Sequence, residues 1–195
     1  MPLRFGFSAP PLLRILASAA LAIAAGPLHA QTSDPIFRSG FERVGAITPN
    51  WQANLNAQNS VRANVSPAAN PTLPAMQWDE SVAAVAQAHA DRCLFAHSGN
   101  PGLGENIYGY GAWADAEEDA AWYWSQEAAN YNYASNSCAA GQQCGHYTQM
   151  VWRSSSHLGC GIRQCNSGSP WGSGEWTVVV CNYSPPGNYS GARPY

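Results

Sequence analysis

The spacing of hydrophobic residues changes along the chain, from helical periodicity in the first two thirds to strand-like runs near the end. Helical spacing is loose in residues 50–65, where Asn50 is the predicted N-cap, clear in residues 78–93 and present again in residues 113–127. The clearest apolar stripe is that of the second segment, formed by Trp78, Val82, Val85, Ala86, His89 and Cys93. Three helices are therefore predicted. His89, on the apolar stripe, is expected to be a satisfied core residue.

The C-terminal third has a different pattern. The runs "HLGCGIRQC" (157–165) and "EWTVVVCNY" (175–183) are typical of strands, and the turn-forming stretch "NSGSPWGSG" separates them. We predict that they are two antiparallel strands of one sheet. The glycine-rich stretch "SGNPGLGENIYGYGA" (98–112) is predicted to be a loop. Helices early and strands late predict an α+β fold, in which helices pack against an antiparallel sheet.

The first thirty residues have the pattern of a secretory signal peptide. The apolar run "LLRILASAALAIAAG" follows a positively charged start, and a small-residue site predicts cleavage after Ala30. No other segment approaches the roughly 20 apolar residues needed to span a bilayer, so we expect no transmembrane segment. Residues 31–49 show no periodicity and are predicted to be an N-terminal extension, and residues 50–195 are predicted to be one domain. We expect an exported protein, extracellular or periplasmic.

Charge and cysteine content narrow the classes of partner and cofactor. Beyond residue 30, seven arginines face twelve acidic residues, so the formal charge is 7 − 12 = −5, which argues against nucleic acid as the main partner. An even number of cysteines in an exported chain predicts three disulfides. Cys160 and Cys165 point to opposite faces of one strand and need different partners. Cys138 and Cys144 could close on each other, and a zinc site at Cys144 and His146 is the weaker alternative.

Four segments in order carry a resemblance to a known family: "LNAQNSVRANV", "FAHSGNPGLGENIYG", "CGHYTQMVWRSSSHLGCG" and "VVVCNYSPPGNYSGARPY". The chain resembles the CAP superfamily (SCP domain), which includes cysteine-rich secretory proteins, antigen 5 and pathogenesis-related proteins. The plant pathogenesis-related branch is the most similar in pattern, because the cysteines and the Pro-Pro-Gly-Asn-Tyr ending have the same order. The resemblance implies an α-β-α sandwich for residues 50–195. It also implies the disulfides Cys93–Cys165, Cys138–Cys144 and Cys160–Cys181.

The resemblance further implies a cleft lined by two histidines and two acids. By their motifs these are His97 in "FAHS", Glu105 in "GENI", Glu127 in "WYWSQE" and His146 in "CGHYTQ". The histidine that the family carries on its first helix is replaced here by Gln58. Imidazole suits zinc, so zinc is the expected cofactor, with His97 and His146 as ligands and the two glutamates orienting them or a bound water.

The sequence leaves three functions open for this cleft. The four residues could bind a metal or another ligand, or form a polar network that fixes the loops, because buried polar groups need partners. The alternative is a metal-dependent, protease-like hydrolase in which Glu105 or Glu127 polarises a bound water. Aromatic residues in "IYGYGAW" and "NYNYAS" are predicted to lie in loops, where they could contact the lipid or sterol ligand that the resemblance implies. The alternative is that these aromatic residues compensate for a small, alanine-rich core. We expect a monomeric, secreted, non-enzymatic module for binding or defence.

Overall fold

The structure is a computed structural model that describes residues 47–111 and 116–195. The predicted signal peptide and all but the last residues of the predicted extension lie outside these ranges. The elements of the described chain follow in order: α1 (Pro49–Ala63), β1 (Gln77–Trp78), α2 (Glu80–Ala90), β2 (Gly104–Tyr110), α3 (Ala116–Gln126), a 3₁₀ helix (Glu127–Asn130), β3 (Tyr131–Asn132), β4 (Ser137–Cys138), α4 (Gly145–Met150), β5 (His157–Cys165) and β6 (Trp176–Ser184). None of the described helices has the length and apolar character that crossing a membrane requires.

The main sheet has the strand order β1-β5-β6-β2. The two strands expected from the C-terminal pattern are present, and they pair antiparallel with Cys160 opposite Cys181. The expectation of a purely antiparallel sheet is wrong at one edge, where β1 runs parallel to β5. A two-residue strand has no periodicity that a sequence pattern could show, and its pairing with a strand about eighty residues later is set by the tertiary fold.

Strand β2 corrects the prediction of a glycine-rich loop at residues 98–112. Residues 104–110 pair with β6 along their whole length. Their glycines lower the intrinsic tendency to form a strand, but the packing requires them. A Cβ on Gly104 would lie 2.3 Å from Oε1 of Gln149, and one on Gly109 would lie 2.9 Å from the rings of Phe95 and Trp171.

Strand β6 lies in the middle of the molecule, with helices on both of its faces. Val178 and Val180 pack with residues of α2 on one face, in the cluster Ala86, Ala90, Ile107, Cys165, Trp176, Val178 and Val180. The other face belongs to a larger cluster that contains Val179, Cys181 and Tyr183 together with residues of α1, α3 and α4. A strand buried on both faces has a continuous apolar sequence, as "WTVVVC" does. The α-β-α sandwich is therefore confirmed.

Helix α2 packs directly on the backbone of β5, at the two glycines of "HLGCG". A Cβ on Gly159 would lie 2.1 Å from the backbone nitrogen of Ala83, and one on Gly161 would lie 2.4 Å from the backbone of Gln87. The side chain of Gln87 also bonds to the backbone of Ile162, through its amide nitrogen at 2.9 Å and its amide oxygen at 3.0 Å. This close approach fixes the height of α2 above the sheet.

The helix boundaries differ from the predictions at several positions. Helix α1 begins at Pro49, because the Thr48 hydroxyl rather than Asn50 caps it and accepts from the nitrogen of Trp51 at 3.3 Å. On α2, Val85 is 40% exposed and does not belong to the buried face. Cys93 lies beyond the end of that helix, where its φ of 51° is incompatible with helical continuation.

The three disulfides have the expected pairing. Cys93 bonds Cys165 and ties the chain after α2 to the end of β5, while Cys160 bonds the residue opposite it on β6, Cys181. The third, Cys138–Cys144, closes a short loop before α4. Each contributes about 2–4 kcal/mol, largely by restricting the unfolded chain. The alternative of a zinc site at Cys144 and His146 is wrong, because the Cys144 sulfur is committed to a disulfide.

Candidate functional site

The four residues that the motifs single out lie on different elements. His97 lies in the connection between α2 and β2, Glu105 on β2, Glu127 at the start of the 3₁₀ helix, and His146 on α4. The sequence pattern places Glu127 on the third helix, but α3 ends one residue before it. The structure brings the four together as two histidine–glutamate pairs.

The first pair joins an exposed imidazole to a buried carboxyl group. His97 Nδ1 lies 2.9 Å from Oε1 of Glu105, and the same oxygen accepts from the backbone nitrogen of Ser98 at 2.8 Å. The side chain of His97 is 65% exposed and that of Glu105 only 7%. Burial raises the pKa of the Glu105 carboxyl, but the hydrogen bonds from Ser98 and His97 outweigh it and lower that pKa below its ordinary value. Glu105 is therefore an ionised acceptor for His97 near neutral pH.

The second pair is better enclosed. His146 Nδ1 lies 2.6 Å from Oε1 of Glu127, while Oε2 of Glu127 accepts from the backbone nitrogens of His146 and Tyr147 at 3.0 and 3.1 Å. These nitrogens belong to the first turn of α4, whose N-cap residue Cys144 supplies no side-chain hydrogen bond. Glu127 thus both orients the imidazole and satisfies the start of α4. The indole of Trp124 stacks on the His146 ring, with 5.8 Å between ring centroids.

One cavity of about 420 Å³ receives both imidazoles. His97, Glu105 and His146 line it, together with apolar atoms of Phe95 and Ile107. Glu127 is not among its lining residues and lies behind His146. The cavity therefore combines two histidine nitrogens and one carboxyl group with an apolar wall.

The tautomer of each histidine follows from its carboxylate partner. Because Glu105 and Glu127 accept at Nδ1 of His97 and His146, the nitrogen left for a metal or ligand is Nε2 in both rings. A carboxylate on the far nitrogen is the usual support of a metal-binding imidazole. Within residues 47–111 and 116–195, no cluster of three or more His, Cys, Asp or Glu side chains has metal-binding geometry. The described chain therefore offers a cation at most two imidazole nitrogens in this cavity, and the remaining coordination positions would go to solvent or ligand oxygens.

A buried polar chain connects the backbone of His146 to helix α1. Asn106 Nδ2 donates to the carbonyl oxygen of His146 at 3.1 Å and to the hydroxyl of Tyr183 at 3.0 Å. Tyr183 in turn donates to Gln58 Oε1 at 2.8 Å, and Gln58 Nε2 donates to Asn54 Oδ1 at 2.8 Å. Gln58 is fully buried, and through Tyr183 and Asn106 it is connected to the backbone of His146 behind the cleft.

Two features of this region do not follow from the sequence reasoning. Asn106 lines the cavity beside Glu105, and its position in "GENI" was a signal that could have singled it out.

The tyrosines of "IYGYGAW" are expected in a loop, but Tyr108 and Tyr110 lie on β2 and pack against the larger core cluster. In "NYNYAS", Tyr131 lies on β3 and is also packed against that cluster. These three rings therefore contribute to the core, as the alternative expects, and the expectation that they lie in loops is wrong.

Comparison with known proteins agrees with the fold and the motifs. The model of the cysteine-rich secretory protein (CAP) family matches residues 55–183. A PR-1 type pathogenesis-related protein of Sambucus nigra is 42% identical over 150 residues, which cover 74% of this chain and 81% of that protein. Pathogenesis-related protein 1 of Arabidopsis thaliana is 40% identical over 159 residues, which cover 78% of this chain and 90% of that protein.

Solved structures show the same architecture. The crystal structure of NaASP2 with Zn²⁺ aligns with a TM-score of 0.60 at 28% identity, over 77% of this chain and 87% of that chain. The sandwich, the three disulfides and the sequence relatives agree in one assignment. The chain belongs to the cysteine-rich secretory protein (CAP) family and is of the PR-1 type.

Proposed function

We propose that the cleft binds a divalent cation, zinc by preference, through Nε2 of His97 and of His146, in an exported module that binds rather than hydrolyses its ligand. The observation that carries this proposal is the convergence of two imidazoles on one cavity, each fixed at Nδ1 by a carboxylate. Imidazole is a preferred ligand of zinc, and the carboxylates increase its basicity. The crystal structure of the related NaASP2 with Zn²⁺ supports this choice of metal.

The two carboxylates support the imidazoles rather than a hydrolytic water. Both oxygens of Glu127 accept hydrogen bonds from His146 and the start of α4. Glu105 uses Oε1 for His97 and Ser98, and its Oε2 is buried. A general base needs an oxygen within reach of the water it deprotonates. Three of the four carboxylate oxygens are engaged in these hydrogen bonds and the fourth, Oε2 of Glu105, is buried, which favours binding over the hydrolase alternative. A bound cation would supply an electrophilic site for an oxygen atom of the ligand.

The nature of that ligand is a further part of the proposal. Phe95 and Ile107 give the cavity an apolar wall beside the polar residues, which suits an amphiphilic molecule such as a lipid or a sterol with one oxygen function. Export is supported by the leader pattern of residues 1–30 and by the three disulfides, which persist in oxidising compartments. A role in defence is suggested by the pathogenesis-related relatives.

Zinc titration calorimetry tests the metal site. Wild type, His97→Ala and His146→Ala are titrated at pH 7.5 and pH 5.5, and circular dichroism verifies that each variant is folded. His157→Ala is the matched control, because His157 begins β5, is partly buried and does not line the cavity. We expect wild type and His157→Ala to bind zinc alike, and each cleft variant to lose at least about tenfold in affinity. Binding should weaken at pH 5.5, because protons compete for the imidazoles.

Two results would contradict the proposal. One is the absence of zinc uptake by wild type at pH 7.5, and the other is unchanged affinity in both folded cleft variants. Either result would make a structural polar network the better account of the four residues, since the same hydrogen bonds also fix the loop of His97 and the start of α4.

A further inference from the structure

His89 is a buried histidine that the cleft as described leaves without a role. It lies on α2 and is 6% exposed, and its Nε2 is 2.8 Å from the carbonyl oxygen of Ala96. Because a carbonyl oxygen only accepts, Nε2 carries the hydrogen and donates it. The expectation of a satisfied core residue holds for burial and for Nε2, but Nδ1 has no hydrogen-bond partner among the described residues.

The main chain around His97 is held from both sides. His89 donates to the carbonyl oxygen of Ala96, the residue before His97. Glu105 accepts from the backbone nitrogen of Ser98, the residue after His97, and from the His97 ring. Since the His97 side chain is 65% exposed, packing contributes little to its position. Its placement over the cavity depends on polar contacts at Ala96, Ser98 and Nδ1.

We propose that His89 is a positioning residue for the cleft, which fixes His97 by holding the carbonyl group of the preceding residue, Ala96, while Glu105 holds Ser98 and the His97 ring. The inference rests on the proposed function in one respect, which is that His97 is a metal ligand when it is correctly placed.

Three variants separate positioning from ordinary packing. His89→Phe keeps a buried ring but removes the donor to Ala96, whereas His89→Gln supplies an amide donor in its place. Val82→Ala is the control, because Val82 is buried to the same extent two turns earlier on α2. Should His89→Phe fail to fold, His89→Asn replaces it, because its shorter side chain is polar but does not reach Ala96.

The readouts use metal-free protein first. Hydrogen exchange of the Ser98 amide should be about tenfold faster in His89→Phe than in Val82→Ala, which corresponds to the loss of one hydrogen bond. The Cε1–H resonance of His97 should move while that of His146 stays in place, and His89→Gln should restore most of both signals. A zinc titration of the same variants should then show up to about tenfold weaker binding in His89→Phe.

The outcomes distinguish the two proposals. If wild type takes up no zinc, the metal site is refuted, while the exchange and resonance data still decide the role of His89. The inference is overturned if His89→Phe disturbs Ser98 and His97 no more than Val82→Ala does. It is equally overturned if His89→Gln disturbs them as much as His89→Phe, because the donor to Ala96 would then be irrelevant.

Discussion

Replacement of Tyr183 by phenylalanine tests the buried polar chain behind His146. The ring of Tyr183 is fully buried, and its hydroxyl accepts from Asn106 and donates to Gln58. Burial raises the pKa of Tyr183, so the hydroxyl is neutral and keeps its hydrogen at any pH at which the protein is studied. Tyr183→Phe removes this one oxygen and leaves the apolar packing of the ring in place.

The expected loss of stability follows from the groups that lose a partner. Gln58 Oε1 loses its donor, and Asn106 keeps one of its two hydrogen bonds, to the carbonyl oxygen of His146. A buried polar group left unsatisfied costs about 1–3 kcal/mol. Because Gln58 Oε1 loses its donor and the Asn106 amide loses one of its two acceptors, we expect Tyr183→Phe to lower the free energy of unfolding by about 2–4 kcal/mol. This is a large part of the roughly 5–15 kcal/mol typical of a folded domain.

Urea unfolding with the disulfides intact, followed by far-ultraviolet circular dichroism, measures this change. The midpoint should fall by about 1 M or more with an unchanged slope. Tyr189→Phe is the control, because Tyr189 is 57% exposed, and we expect its change to stay within about 0.5 kcal/mol. A loss below about 0.5 kcal/mol in Tyr183→Phe would refute the reasoning, since Gln58 and Asn106 would then have found other partners at no cost.

Two further predictions concern packing and pH. Gly161→Ala should lower the free energy of unfolding in urea by about 3 kcal/mol or more, because its Cβ would meet the backbone of α2. The control Gly145→Ala, whose Cβ would meet no described atom within 4 Å, should change it by no more than about 1 kcal/mol, and similar losses in the two variants would contradict the close approach. Glu105→Gln should be less stable than wild type at pH 6, and the difference in the free energy of unfolding should shrink as pH falls below about 4.5, because a carboxyl group whose pKa is lowered in the folded state stabilises that state only while it is ionised. A difference that is independent of pH would show that the charge of Glu105 contributes nothing to stability.

The local pattern of the sequence is enough to predict the elements that are periodic or that are buried on two faces. Strand β6 has a continuous apolar run because helices cover both of its faces, and α2 shows its stripe because one face of that helix packs on the sheet. The opposite orientation of Cys160 and Cys165 also followed from strand geometry alone, and the structure gives them different partners. The four cleft residues are a different case: their short, contiguous motifs resemble those of the CAP superfamily, and it is this resemblance that singles them out, not the local periodicity.

The tertiary structure decided what depends on contacts between distant segments. Glycines 104 and 109 predict a loop locally, yet β2 forms because β6 supplies its hydrogen bonds and because Gln149 and Phe95 need the space above those glycines. Glu127 caps a helix that begins eighteen residues later, and Gln58 bonds a tyrosine 125 residues away. A local pattern carries the period of an element and the face it buries, but not the partner that meets that face. The convergence of His97 and His146 on one cavity, and the support that each receives from the core, therefore exist only once the chain is folded.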